Sequence, residues 1–126
     1  MSRSREEENL QRAVASYLRR AMPDDIYWTA VESSGRGARD GARQKAKGVN
    51  PGCPDLLFFL SAGRMVGIEL KSAKGRLTGA QPGVCKAFEA NGHHYHVARS
   101  QEDVAGVLLA HRVELRALPA GLRRAS

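Results

Sequence analysis

Apolar side chains recur at three- and four-residue steps from Leu10 through Val14, Tyr17, Leu18 and Ala21, with charged residues between them. That period lays one apolar stripe along a helix, so residues 6–21 are predicted helical, with Ser4 or a neighbour as the cap and Pro23 as the stop. The period then shortens. Ile26-Tyr27-Trp28-Thr29-Ala30-Val31 is β-branched and aromatic and is expected as a strand, with Trp28 in the core. Two short apolar runs, 55–60 and 65–71, flank Ser61-Ala62-Gly63-Arg64, the pattern of a hairpin. Thr78 with Gln81 three residues on fits a capping box, so a helix is predicted over about 79–90, with Pro82 tolerated in its first turn and Gly92 as its stop. His93 to Ala98 is expected as another strand. Ser100 caps a last helix with Val104, Val107 and Leu108 on its apolar side.

Helix, three strands, helix, strand and helix in that order predict an α/β fold around a small mixed sheet. The hairpin supplies the antiparallel part, and the helix after Thr78 crosses over to a parallel strand at 94–98. A chain of 126 residues is expected to form one domain: a core over about 5–110, a loop at 32–50, and a tail at about 112–126 that adds a small edge element or trails off. No apolar run approaches twenty residues, so no membrane span is expected. The first eight residues lack the apolar stretch of a secretory signal, and a cytoplasmic protein is expected. Cys53 and Cys85 are read as free thiols in that compartment, with pairing as the alternative.

A formal net charge of +7 and a pI near 10.0 point to a polyanionic partner. Its distribution sharpens that reading. Arg36, Arg39, Arg43, Lys45 and Lys47 fall in the Gly- and Ser-rich loop before Pro54-Asp55, expected to hold a helical turn around 40–47. Lys71, Lys74 and Arg76 follow the second hairpin strand. Both groups are candidates for the phosphates of DNA, and the loop is expected to order on binding. Arg112, Arg116, Arg123 and Arg124 form a separate set with a solubilising role.

The two basic groups bracket a pair of acids. A hairpin folded about residue 62 sets Asp55 opposite Glu69, and strand alternation sends Glu69 and Lys71 to one face. Two adjacent carboxylates repel unless a cation lies between them. Oxygen donors with no Cys or His among them suit a hard ion, Mg²⁺ or Mn²⁺, which polarises a phosphodiester and acidifies water. Glu69 also interrupts an apolar strand, where an uncompensated charge is costly. Glu32 is a fallback acid. His93, His94 and His96 raise the question of zinc, but no Cys or acid lies at ligand spacing; His94 and His96 share a face and are expected to reach phosphate instead.

The segment Gly48-Val49-Asn50-Pro51-Gly52-Cys53-Pro54-Asp55, followed by Ile68-Glu69-Leu70-Lys71 and Gln81, resembles the PD-(D/E)xK nuclease superfamily. More narrowly it resembles the stand-alone VRR-Nuc (virus-type replication-repair nuclease) domain of phages and bacteria. The likeness runs over about residues 5–105 and includes Lys71 to Leu77. It implies a restriction-endonuclease-like core and an Mg²⁺- or Mn²⁺-dependent endonuclease that hydrolyses DNA, with Asp55, Glu69 and the Leu70 carbonyl as metal ligands. Lys71 would be the catalytic lysine and Gln81 a helper near phosphate or water. Of Glu6, Glu7 and Glu8, Glu7 is favoured as the N-terminal acid because Gln11 follows at the family's spacing. The resemblance further implies a homodimer acting on branched DNA, a four-way (Holliday) junction or flap, in DNA repair. The alternative is a DNA-binding subunit of a phage or repair complex that is non-catalytic or cuts only with its partner.

Overall fold

The computed structural model describes residues 4–32 and 38–122, so Arg36, Arg123 and Arg124 lie outside the described residues. The elements run α1 (Arg5–Ala21), β1 (Tyr27–Ala30), α2 (Ala38–Ala46), β2 (Leu56–Phe59), a single 3₁₀ turn (Ser61–Gly63), β3 (Met65–Leu70), α3 (Gln81–Ala90), β4 (His94–Ala98) and α4 (Gln101–Ala110). The four strands form one sheet in the order β1-β2-β3-β4, antiparallel except for the parallel β3–β4 pair. This is the expected mixed α/β architecture, and α3 is the crossover that a parallel pair requires.

Local chemistry explains the boundaries. Ser4 accepts the Glu7 amide at 3.2 Å and starts α1; Ser100 accepts the Asp103 amide at 3.0 Å and starts α4. The loop expected at 32–50 contains a full helix, α2. The hairpin closes with the Leu60 amide donating to the Arg64 carbonyl at 2.9 Å.

Residues in register on neighbouring strands share a face. Val66, Ile68 and Leu70, with His94, His96 and Ala98, therefore line one face, while Gly67 and Glu69, with Tyr95 and Val97, line the other. The first face carries the core: Leu56, Phe58, Val66, Ile68 and Leu70 pack with Val14, Tyr17 and Leu18 of α1 and Val104, Ala105 and Leu108 of α4. Trp28 packs against this core as expected, its ring stacked on Phe58 at 6.3 Å between centroids. The second face receives α3, whose Phe88 meets Tyr95 edge-on at 5.6 Å.

The stretch after α4 departs from the tail expected at 112–126. Val113 and Leu115 are buried, the Arg116 amide donates to the Ala21 carbonyl at 2.8 Å, and Tyr17 donates its hydroxyl to the Ala117 carbonyl at 2.7 Å. Arg116 also pairs with Asp24 at 3.0 Å. Val113 and Leu115 join the core, and the backbone of residues 116 and 117 bonds to α1.

Candidate carboxylate–lysine site

Asp55 immediately precedes β2, and Glu69 is the fifth residue of β3. The ladder pairs Leu56 with Ile68, so continuing it by one residue sets Asp55 opposite Glu69, the register that folding about residue 62 predicts. Asp55 Oδ2 accepts the Leu70 amide at 2.8 Å, a carboxylate clipped onto the partner strand's backbone beside Glu69. Both acids are withdrawn from solvent, at 8% and 5% exposure.

Glu69 Oε2 is approached from two sides. Lys71 Nζ lies 3.5 Å away, and Gln81 donates its amide from 2.9 Å. Lys71 is itself 11% exposed, so this ion pair is largely desolvated. Gln81 works in two directions, because its Oε1 accepts the Thr78 amide at 3.0 Å. That contact is half of the predicted capping box, although the helix itself begins at Gln81. The same side chain thus anchors the start of α3 and holds an acid of β3.

Glu7 reaches this region from α1: its Oε2 accepts the amide of Ser72, the residue after Lys71, at 3.0 Å. Gly75 lies against the same oxygen, where an added Cβ would sit at 3.0 Å. Of the three consecutive glutamates, Glu7 is half-buried, while Glu6 and Glu8 are exposed. Glu32 is exposed beside β1. Lys74 and Arg76 are exposed on the loop after Lys71, and Arg39, Arg43, Lys45 and Lys47 are exposed on and after α2. His94 and His96 belong to the face opposite Glu69, turned toward α4 by strand alternation, so they do not join Asp55, Glu69 and Lys71.

Residues given no individual role in the sequence build the site, two of them in the Gly-x-Pro-Asp stretch itself. Gly52, in the Gly-x-Pro-Asp stretch, has φ +95°, and a Cβ there would lie 2.7 Å from Val84 and 3.0 Å from the Ala80 carbonyl. Only glycine combines that backbone with so close an approach to α3. A Cβ on Gly67 would meet Pro54 at 2.5 Å and Phe88 at 3.0 Å. Pro54 thereby sits over β3 and delivers Asp55 to Leu70. Arg99 donates to the carbonyls of Ser72 at 2.6 Å and Gly75 at 2.7 Å, tying down the loop after Lys71. A glycine inside a strand pattern signals close backbone approach; a lone arginine after a strand carries no comparable signal.

The local field is negative. Burial pushes the Cys53 thiol and the Tyr95 phenol up, and the charges of Glu69 and Asp55 push both further. A site that resists another negative charge, with two buried carboxylates as oxygen donors, fits a hard divalent cation.

No protein-family model matches this chain. No curated protein matches it either. Solved structures do match, and two of them are described by name. One, described as a "VRR_NUC domain protein", is 21% identical with a TM-score of 0.69, over 86% of this chain and 89% of that one. The other, described as "VRR_NUC domain", is 19% identical with a TM-score of 0.53, over 86% of this chain and 98% of that one.

Proposed function

We propose that this chain, which has the fold of VRR_NUC domain proteins, is a metal-dependent endodeoxyribonuclease centred on Asp55, Glu69 and Lys71. The observation that carries the reading is the joining of those residues: Asp55 clipped to the Leu70 amide, and Lys71 and Gln81 converging on Glu69. The fold likeness, the buried carboxylate pair and the net charge of +7 support it.

Asp55, Glu69 and the Leu70 carbonyl would hold the cation, Mg²⁺ or Mn²⁺, with Glu7 assisting through the Ser72 loop. When bound, the cation supplies Lewis-acid polarisation of the phosphodiester and acidification of water. Lys71 brings a positive charge to the phosphate that gains charge in the transition state, and its ion pair with Glu69 aims the ammonium. Gln81 is a positioning residue that fixes the Glu69 carboxylate. Exposed Arg39, Arg43, Lys45, Lys47, Lys74 and Arg76, together with Arg36, would take the flanking phosphates. We further propose branched DNA as the substrate and a homodimer as the working form; two symmetric sites would match two strands of a symmetric branch.

The test is cleavage of a labelled four-way junction, a flap and a linear duplex with Mg²⁺, Mn²⁺ or EDTA. Cutting is expected with metal only, and Lys71→Ala is expected to lower its rate by about 10²–10³. Asp55→Asn keeps an acceptor for the Leu70 amide while removing the charge, so it should fold normally and lose cleavage but keep DNA binding. Binding without cutting under every metal would point to a partner-dependent or non-catalytic DNA-binding subunit.

A further inference from the structure

On the face of the sheet turned away from Glu69, three imidazoles meet. His94 and His96 stand two residues apart on β4 and stack at 6.3 Å between centroids, with planes 9° apart. His111, the residue after α4, comes within 4.6 Å of His94 and 5.2 Å of His96, centroid to centroid. One ligand nitrogen from each lies within 4.8 Å of the other two, and the Nε2 atoms of His96 and His111 are 3.0 Å apart. Two nitrogens sharing a tetrahedral zinc ion at bonds of ~2.0–2.1 Å are separated by about 3.3 Å. All three rings are partly open to solvent. His93, the third histidine of the run, takes no part: its Nδ1 accepts the Met65 amide at 3.0 Å.

We propose that His94, His96 and His111 form a second metal site, for a zinc-type borderline cation and not for the hard ion of the carboxylate site. Three neutral imidazoles are a donor set that selects Zn²⁺, Co²⁺ or Ni²⁺ over Mg²⁺. Three protein ligands leave a fourth position for water or a ligand from outside. The bound ion ties the edge strand β4 to the end of α4.

Among the described residues, the two non-glycine positions with left-handed φ are Arg112 (φ 65°), next to His111, and Ala62 (φ 63°), two residues before Arg64. Ala62 belongs to the hairpin turn and Arg112 to the end of α4. Arg112 closes α4 just after His111: its amide donates to the Leu109 carbonyl at 2.9 Å and the Val113 amide to the Leu108 carbonyl at 3.0 Å, which fixes His111 at the helix end.

Arg64 is the built-in competitor. Its guanidinium lies 3.3 Å from His111 Nδ1, and arginine only donates, so that nitrogen is the acceptor and Nε2 of the neutral ring carries the proton. His111 Nε2–H then donates to His96 Nε2. A metal at the His111–His96 junction must displace that proton, and the Arg64 contact opposes the exchange. Removing the arginine therefore favours the metal.

Untagged protein, stripped with chelator and held in millimolar Mg²⁺, is titrated with Zn²⁺ by calorimetry and with Co²⁺ by visible absorption. The carriers are wild type and the Asp55→Asn/Glu69→Gln variant, which cannot supply the carboxylate site. Both are expected to take up one Zn²⁺ per chain, to melt about 5 °C or more higher with the ion in excess, and to show the intense band of four-coordinate Co²⁺. His96→Gln/His111→Gln should weaken Zn²⁺ binding by more than about 100-fold and erase the band, with unchanged circular dichroism. Arg64→Ala should tighten Zn²⁺ binding several-fold. Undiminished binding in the double histidine variant, or no uptake by the Asp55→Asn/Glu69→Gln protein at micromolar Zn²⁺, would overturn the site. Weaker binding in Arg64→Ala would overturn the competition.

Discussion

Gln81 shows how one side chain joins local structure to chemistry. The spacing from Thr78 marks it as a capping residue, and its Oε1 does accept the Thr78 amide; its Nε2 holds Glu69 from across the site. The two roles need a neutral amide, which both donates and accepts. Gln81→Glu would keep the accepting end and set a carboxylate against Glu69. In EDTA that variant should lose ~1–3 kcal/mol, the scale of a hydrogen bond to a charged group. Added Mg²⁺ should restore its melting temperature more than it raises that of Gln81→Ala, since a cation relieves the added repulsion. Equal melting of Gln81→Glu and wild type in EDTA would show that the Glu69 contact carries no weight.

At the scale of elements, the hairpin is a ruler. Because β2 and β3 pair about residue 62, Asp55 and Glu69 meet although thirteen residues separate them. The ruler works only if Pro54 can lie flat on β3, which is why residue 67 has no side chain: a Cβ there would be 2.5 Å from Pro54 and 3.0 Å from Phe88. Gly67→Ala should cost ~1–3 kcal/mol, read as a lower urea midpoint with unchanged m-value. It should also reduce cleavage, because Pro54 and the start of α3 carry Asp55 and Gln81. An unchanged midpoint would contradict this packing.

Across the whole molecule, the sheet separates two kinds of site. The α3 face gathers oxygen donors and a lysine; the α1/α4 face gathers imidazoles at the edge of an apolar core. The net positive charge is a property at this same scale. It should appear as a linear fall of log binding constant with log salt on DNA. Arg39→Ala and Arg43→Ala should each flatten that slope by about one and weaken binding similarly across sequences, while the Asp55→Asn protein keeps the wild-type slope. A slope unaffected by either arginine would move the DNA interface away from α2.

The residues by themselves determined much of this. Period-3.6 and short apolar runs located the strands and every helix but α2, and hairpin symmetry alone placed Asp55 opposite Glu69, because strand register is arithmetic once the turn is known. Only the tertiary structure decided the rest. It gave a partner to Glu7, the glutamate already favoured by its spacing to Gln11, since which glutamate meets the Ser72 amide depends on how α1 is rotated against β3. It packed Val113 and Leu115 into the core and recruited Arg99 to the loop after Lys71. It also replaced the consecutive histidines with a triad completed by His111, a residue fifteen positions beyond His96 that the packing of α4 against β4 brings back. Such contacts join distant segments, and their partners are selected by packing, which leaves no period in the chain.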